Sequence, residues 1–327
     1  MNDILVTVIC ATYNHEKYIE RTLLSLVNQK TDFRYEIIVH DDASTDNTQK
    51  IIKEIEKKYS DKVVAVLQRE NQLSQGKNIT YDIIRPLSRG KYFAICEGDD
   101  YWLDSLKLQK QVDYMESHPL CTFCFSNGVI ENVQNGKTRR FVPYLKSDKK
   151  HIKEDGDYDV KEIAALSFIP TCTFFYPKNN WERIPEYFFD RCFGGDRRVS
   201  LYFTAMGYAH FIDEELGAYN YGVAGSELTK WRTKEQIANI ELTYAHLYEN
   251  VDRFTGKEYH EYFNELRKSF LFTVYCLQGN DELMTKNEYK LIESDLNIFI
   301  KIKKKCFDFT SERLFNFIRQ LKRKYSI

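Results

Sequence analysis

Apolar positions along the first part of the chain switch between two periods. Ile4 to Ala11 is a short, largely apolar run of the kind that fills an interior parallel strand. Past Thr12-Tyr13-Asn14-His15 the period lengthens, and Ile19, Leu23, Leu26 and Val27 fall on one face of a helix. Tyr35 to His40 reads as a second strand, ending in Asp41-Asp42-Ala43-Ser44-Thr45-Asp46. A helix over about 47–59 follows, with Ile51, Ile52 and Ile55 on its apolar side. Lys62 to Leu67 gives a third strand, and Lys91 to Cys96 a fourth that stops at Glu97-Gly98-Asp99-Asp100. A helix over about 105–117 comes next. Strands alternating with helices predict right-handed βαβ units, an α/β fold with a mostly parallel central sheet flanked by helices.

Beyond residue 120 the pattern changes. Cys121–Val133 and Thr138–Val142, joined through Asn135-Gly136, read as a hairpin. A helix over about 160–167, a strand over 171–176, a helix over about 180–190, a helix from Gly194-Gly195-Asp196 through Met206 and a strand near 209–213 are expected next. From about 230 to the end the period is helical, with breaks near Gly256, Gly279 and Asp308. The expected division is therefore 1–228 and a helical C-terminal region, 229–327.

The polar clusters at 12–15, 41–46 and 97–100 all follow strands. In such sheets ligands bind beyond the carboxyl ends of the strands, so one sheet edge is expected to gather the three into a site. Glu97-Gly98-Asp99-Asp100 carries three carboxylates in four residues, which raise one another's proton affinity. Mn²⁺ or Mg²⁺, shared with substrate phosphates, would relieve that repulsion. A solvated turn capping the next helix is the alternative reading. Ser44, Thr45 and Asp46 suit the N-terminus of the helix at 47–59. Asp41 and Asp42 precede that cap, and a carboxylate there could accept from a base N–H, with Tyr13 stacked on the base. Asp196 is a carboxylate in a glycine turn, and Lys77, in Gly76-Lys77-Asn78, reads first as a surface lysine, with a phosphate or base contact as the alternative.

The charge and cysteine content narrow the class. The 327 residues carry a net charge of -1, so no overall field points to nucleic acid. The C-terminal stretch 300–327 is the exception, with nine Lys or Arg against Asp308 and Glu312. There Leu314, Phe317, Ile318, Leu321 and Tyr325 recur at helical spacing beside basic residues. Such a helix over 308–327 fits an anionic membrane surface, its own domain or a dimer partner. The eight cysteines lack a paired metal-ligand spacing and read as reduced, buried thiols. With no leader pattern and no apolar run of the ~20 residues that span a bilayer, the expected location is cytoplasmic, with peripheral contact at the inner face of the membrane left open. No G-x-G-x-x-G follows the first strand, and the first loop has no glycine-rich basic cradle, which argues against a dehydrogenase and a nucleotidyltransferase.

At this point three stretches together carry a resemblance. Val8-Ile9-Cys10-Ala11-Thr12-Tyr13-Asn14, Asp41-Asp42-Ala43-Ser44-Thr45-Asp46 and Glu97-Gly98-Asp99-Asp100-Tyr101-Trp102, continued by Lys107-Leu108-Gln109-Lys110-Gln111, stand in the order and at the intervals of the family 2 glycosyltransferases. The chain resembles that family, of bacterial polysaccharide-biosynthesis type, over roughly 1–225. The resemblance implies a GT-A fold and inverting transfer from a nucleotide-diphosphate sugar, of UDP type, to a hydroxyl of a glycan or lipid-linked acceptor. It implies that Ala11, Tyr13, Asp41, Asp42, Lys77, Glu97 and Asp99 bind the donor. Asp99 and Asp100 are the implied metal ligands, Asp196 the base, and Trp102, Thr171 and Thr173 lie near the acceptor. The first D-x-D position is Glu97, one methylene longer than Asp. Where the family often shows Tyr-Arg-x-His, this chain has Tyr219-Asn220-Tyr221-Gly222. That departure leaves room for Ser226 or a basic residue elsewhere to serve the diphosphate. It also leaves room for a module that binds a nucleotide sugar without transferring it.

Overall fold

The computed structural model describes residues 4–142, 152, 154–166, 168–190, 194–224, 233–278 and 320. The basic segment 308–327, apart from Gln320, and the breaks expected at Gly279 and Asp308 lie outside the described residues, as does Ser226. The chain divides into two compact units. One comprises 1–184 and 199–229, the other 185–198 and 230–327.

The first unit is built on one sheet. Its strands, in chain order, are β1 (Ile4–Thr12), β2 (Arg34–Asp41), β3 (Val63–Leu67), β4 (Tyr92–Ile95), β5 (Tyr101–Trp102), β6 (Cys121–Asn132), β7 (Thr138–Arg140), β8 (Gly156–Tyr158), β9 (Phe175–Pro177) and β10 (Tyr208–Tyr221). They lie in the order β3-β2-β1-β4-β9-β6-β10-β5, with β7 on β6 and β8 on β10. The long pairings, β3-β2-β1-β4 and β6-β10, are parallel; the short strand β9 joins β4 to β6 antiparallel to both. Val6, Val8, Cys10, Ile37 and Val39 are wholly buried. An interior parallel strand is covered on both faces, which is why β1 and β2 read as continuous apolar runs.

The helices are α1 (Ile19–Val27), α2 (Thr48–Lys58), α3 (Arg85–Leu87), α4 (Lys107–Ser117), α5 (Val160–Ala165) and α6 (Gly195–Ala205), followed by α7 (Lys234–Phe254) and α8 (His260–Gln278). α1 buries Ile19, Leu23, Leu26 and Val27, and α2 buries Ile52 and Ile55, as their spacing predicts. α5 and α7 begin with capping boxes, Asp159 with Glu162 and Thr233 with Gln236. In the second unit α7 and α8 stack aromatic faces, with Tyr244 and Tyr248 both against Phe270 at 5.3 and 5.4 Å between ring centres.

Several boundaries differ from the pattern reading. Thr171–Thr173 is a 3₁₀ turn, and the strand starts only at Phe175. The helix expected over 180–190 is two 3₁₀ turns, Lys178–Glu182 and Glu186–Phe189. Pro185, extended at ψ 159°, separates them, because proline removes a donor and disfavours helix in the residue before it. β10 is far longer than the stretch 209–213. Its register on β6 slips between Ile212 and Glu215 and again between Glu215 and Gly217, so an interrupted alternation hides the strand. A π-helical turn, Ile79–Ile84, interrupts the β3–β4 connection.

Candidate active site

β1, β2 and β4 end side by side, and their loops are tied together by hydrogen bonds. Asn14 and Ala43 take left-handed backbones, with φ of 56° and 66°. That allows Asn14 Oδ1 to accept from the Thr45 N–H at 2.8 Å, while the Asn14 N–H donates to Ser44 Oγ at 2.8 Å. The His15 N–H reaches Thr48 Oγ1 at 2.9 Å, and Glu16 Oε2 accepts from both the backbone and side chain of Asn47. The first and second loops are therefore one hydrogen-bonded clasp. Tyr13 projects from it, 46% exposed, where a stacking partner could reach it. The Ala11 carbonyl accepts from the Gly98 N–H at 2.8 Å, which joins the clasp to the acidic turn.

The two aspartates at the end of β2 are buried and engaged. Asp41 accepts from the Ser44 N–H at 2.9 Å, from the Ser44 hydroxyl and from Gln49 Nε2 at 2.7 Å. Asp42 accepts from the N–H groups of Gln72 at 2.6 Å and Leu73 at 3.1 Å. Asp42 thereby fixes the turn that ends at Gly76, left-handed at φ 82°, and delivers the exposed Lys77. Both carboxylates build the loops, and what remains for a ligand is the lone-pair capacity beyond these bonds.

The acidic turn follows β4. Carboxylate oxygens of Glu97, Asp99 and Asp100 all lie within 4.8 Å of one another. Gly98 lets this turn press onto the end of β1, where an added Cβ would stand 2.3 Å from Thr12 Oγ1 and 3.0 Å from His15 Nδ1. Thr22 Oγ1, from α1, donates to the Asp100 carbonyl at 2.6 Å. Glu97 accepts from Thr171 Oγ1 at 2.8 Å. His15 Nε2 stands 3.8 Å from Asp99 Oδ2. Asp100 is 1% exposed; its Oδ1 accepts from the Asn220 N–H at 2.9 Å, while its Oδ2 is buried and has no hydrogen-bond partner among the described residues. Burial, then Asp99 and Glu97, push the Asp100 carboxyl well above the usual range. The thiol of Cys172 is pushed up chiefly by its own burial, and after that by Asp100. Negative charge is thus concentrated at this turn. A hard divalent cation fits this all-oxygen donor set.

Of the three residues expected near the acceptor, Thr171 alone meets the cluster at its surface. Trp102 is 4% exposed and donates Nε1–H to the Cys172 carbonyl at 2.9 Å; Thr173 is wholly buried and donates to the Pro170 carbonyl. These two are buried beneath the turn. Lys107, also wholly buried, lies 4.4 Å over the Trp102 ring and donates to Gln111 Oε1 at 2.6 Å. Gln111 Nε2 in turn donates to the Thr173 carbonyl at 3.0 Å.

Three supporting residues had no individual role in the sequence reading. His15 and Thr22 carry no motif beyond their place after β1. Asn220 does, since it occupies the second position of Tyr219-Asn220-Tyr221-Gly222: its side chain donates to the Asp99 carbonyl and its N–H holds Asp100. Asp196 stands in the first turn of α6, within the second unit, half-buried. Burial raises its carboxyl, against the pull of the Arg197 N–H and charge.

A parallel sheet that gathers acidic turns at one edge, continued by a mixed half, defines the GT-A class of nucleotide-sugar-binding folds. The sequence model of "Glycosyl transferase family 2" matches residues 7–184, and the chain belongs to that family. Among curated relatives, it is 32% identical over 127 residues to the Escherichia coli UDP-Glc:alpha-D-GlcNAc-diphosphoundecaprenol beta-1,3-glucosyltransferase WfaP, covering 39% of this chain and 47% of that one. The chain spans about half the length of the curated relatives it matches. Its fold is similar to that of S. aureus TarS 1-349 in complex with UDP-GlcNAc, with a TM-score of 0.61 at 19% identity over 98% of this chain and 88% of that one. It is also similar to the mannosyltransferase PcManGT of Pyrobaculum calidifontis in complex with GDP-Man and Mn2+, with a TM-score of 0.56 at 15% identity over 98% and 86%. These likenesses bear out the GT-A fold.

Proposed function

We propose that this protein is a metal-dependent inverting glycosyltransferase. It moves a sugar from a nucleotide-diphosphate donor, of UDP type, to a hydroxyl of a glycan or lipid-linked acceptor in cell-surface polysaccharide synthesis. The observation that carries the reading is the trio Glu97, Asp99 and Asp100 at the end of β4, with Asp100 Oδ2 buried and unpartnered among the described residues, in a chain of this family. Asp99 and Asp100 would hold Mn²⁺ or Mg²⁺, with Glu97 beside them. The bound ion would neutralise charge developing on the diphosphate leaving group.

The chain's own residues supply the rest. Tyr13 stacks on the base, and Asp41 and Asp42 hold the loops around it, with Lys77 directed by Asp42 toward the phosphates. Thr171 orients the Glu97 carboxylate. Asp196 removes the proton of the acceptor hydroxyl as that oxygen attacks the anomeric carbon. Among the described residues no helix is long and apolar enough to cross a membrane. The basic segment 308–327 is proposed to rest on the inner membrane surface near a lipid-linked acceptor.

Calorimetry of UDP-sugar binding with and without Mn²⁺ tests the metal assignment. Asp99→Ala is expected to abolish the Mn²⁺-dependent part of the affinity, and an unchanged affinity refutes it. Asp196→Asn is expected to bind donor normally and to lose transfer.

A further inference from the structure

The turn that carries Asp196 is gripped by α7. Gly194, left-handed at φ +80°, ends the approach to α6, and a Cβ added there would stand 2.9 Å from Tyr244 Oη and 3.5 Å from Asp196 Oδ1. The Tyr244 hydroxyl and the Asp196 carboxylate thus flank one point, and no larger residue fits between them without a shift. One residue on, Arg197 Nη2 donates to Tyr248 Oη at 2.9 Å. Tyr244 and Tyr248 are four residues apart on α7 and so share a face. Tyr248 is 3% exposed and stacks between Phe263 and Phe270 of α8, which leaves its hydroxyl little freedom.

We infer that Arg197, anchored by Tyr248, is a positioning residue for Asp196, so that α7 and α8 complete the catalytic turn. The inference rests on the reading of Asp196 as the base. A general base must stay ionised while buried enough to exclude water, and a fixed neighbouring cation reconciles the two demands. A loose arginine would fold onto the carboxylate and take the lone pair meant for the acceptor proton. Tyr248 accepts one guanidinium N–H and so sets where that charge stands. Among the described residues, Arg197 and Arg198 on α6 act on this carboxylate, the Tyr244 hydroxyl of α7 stands across Gly194 from it, and Tyr248 reaches it only through Arg197. The helices α7 and α8 that make this grip lie beyond the residues the family model matches, 7–184.

The test uses the full chain with Mn²⁺ and whichever of UDP-glucose, UDP-N-acetylglucosamine and GDP-mannose it hydrolyses. A direct titration of Asp196 by ¹³C NMR of carboxyl-labelled aspartate, assigned with Asp196→Asn, runs alongside. Arg197→Gln should lower kcat ~10- to 100-fold with donor KM unchanged. It should also move both the acid limb of kcat/KM and the Asp196 titration upward by about one pH unit. Tyr248→Phe keeps the ring stack and should give a smaller shift in the same direction, while Arg197→Lys should restore most of both. An Asp196 titration and acid limb unmoved by Arg197→Gln overturn the inference. Full hydrolysis by Asp196→Asn instead removes Asp196 from the role of base, an outcome read independently of the Arg197 variants.

Discussion

Lys107 offers the sharpest quantitative prediction. Its side chain is wholly buried, with Nζ on Gln111 Oε1 at 2.6 Å and over the Trp102 ring at 4.4 Å. Burial lowers its pKa from 10.5 to about 8. Below pH 8 the lysine is charged in both folded and unfolded chains, so the folded state bears the whole desolvation cost. Between pH 8 and 10.5 the folded chain sheds its proton first, the unfolded chain binds more protons, and stability rises with pH. At ~1.4 kcal/mol per pH unit the span from 8 to 10.5 amounts to about 3 kcal/mol, of which about 2 kcal/mol is recovered by pH 9.5. Lys107→Met has no such proton to lose. Urea unfolding of wild type and Lys107→Met at pH 7 and pH 9.5, followed by far-UV circular dichroism, should therefore show wild type gaining ~2 kcal/mol on the variant across that interval. A stability difference that stays the same at both pH values would refute the reasoning.

Two further outcomes follow from the loop geometry. Gly98→Ala places a methyl 2.3 Å from Thr12 Oγ1 and 2.5 Å from its Cβ. The variant should lose about 1–3 kcal/mol of stability and at least tenfold in Mn²⁺-dependent donor affinity, read by thermal shift and calorimetry. Asp42→Ala removes the acceptor of the Gln72 and Leu73 N–H groups. Amide exchange over 71–77 should accelerate at a cost of ~1–2 kcal/mol, while exchange in β1 and β2 stays as in wild type.

The parallel half of the fold was legible because its strands and helices each keep one period. Ile4 to Ala11 cannot be other than an interior element, and α1 and α2 carry their buried faces at plain helical spacing. The acidic turns were legible as a group because a parallel sheet sends every strand end to one edge. What escaped is where period fails. β10 loses its alternation in two register slips, and Pro185 breaks an otherwise helical stretch. The roles of single residues were also hidden. Asp41 and Asp42 look like ligand-facing acids in a string of letters, yet each spends oxygens on neighbouring N–H groups. Nor does the sequence show that the Trp102 N–H is satisfied in the interior by the Cys172 carbonyl. A hydrogen bond between Asn220 and residues more than a hundred positions earlier leaves no trace in local sequence.

The slipped stretch of β10 has a bearing on how this chain can drift. From Ile212 to Gly217 β10 takes five steps while β6 takes two, from Ser126 to Gly128. The surplus falls just upstream of Asn220, the residue that steadies Asp99 and Asp100. Changing the exposed side chains at 214 and 215 alters only a rim of charges, the Glu214 partner of Lys110 and the Glu215 partner of Arg140, whereas Leu216 is buried in the core and Asp213 accepts from the Asn127 amide. Deleting or inserting one residue there would instead bring Tyr219 or Tyr221 opposite Asp100 and turn the amide of Asn220 to the other face. Substitutions at 214 and 215 should be cheap and changes in the length of this short span prohibitive, so that residue count there is a stricter constraint than residue identity at those two positions.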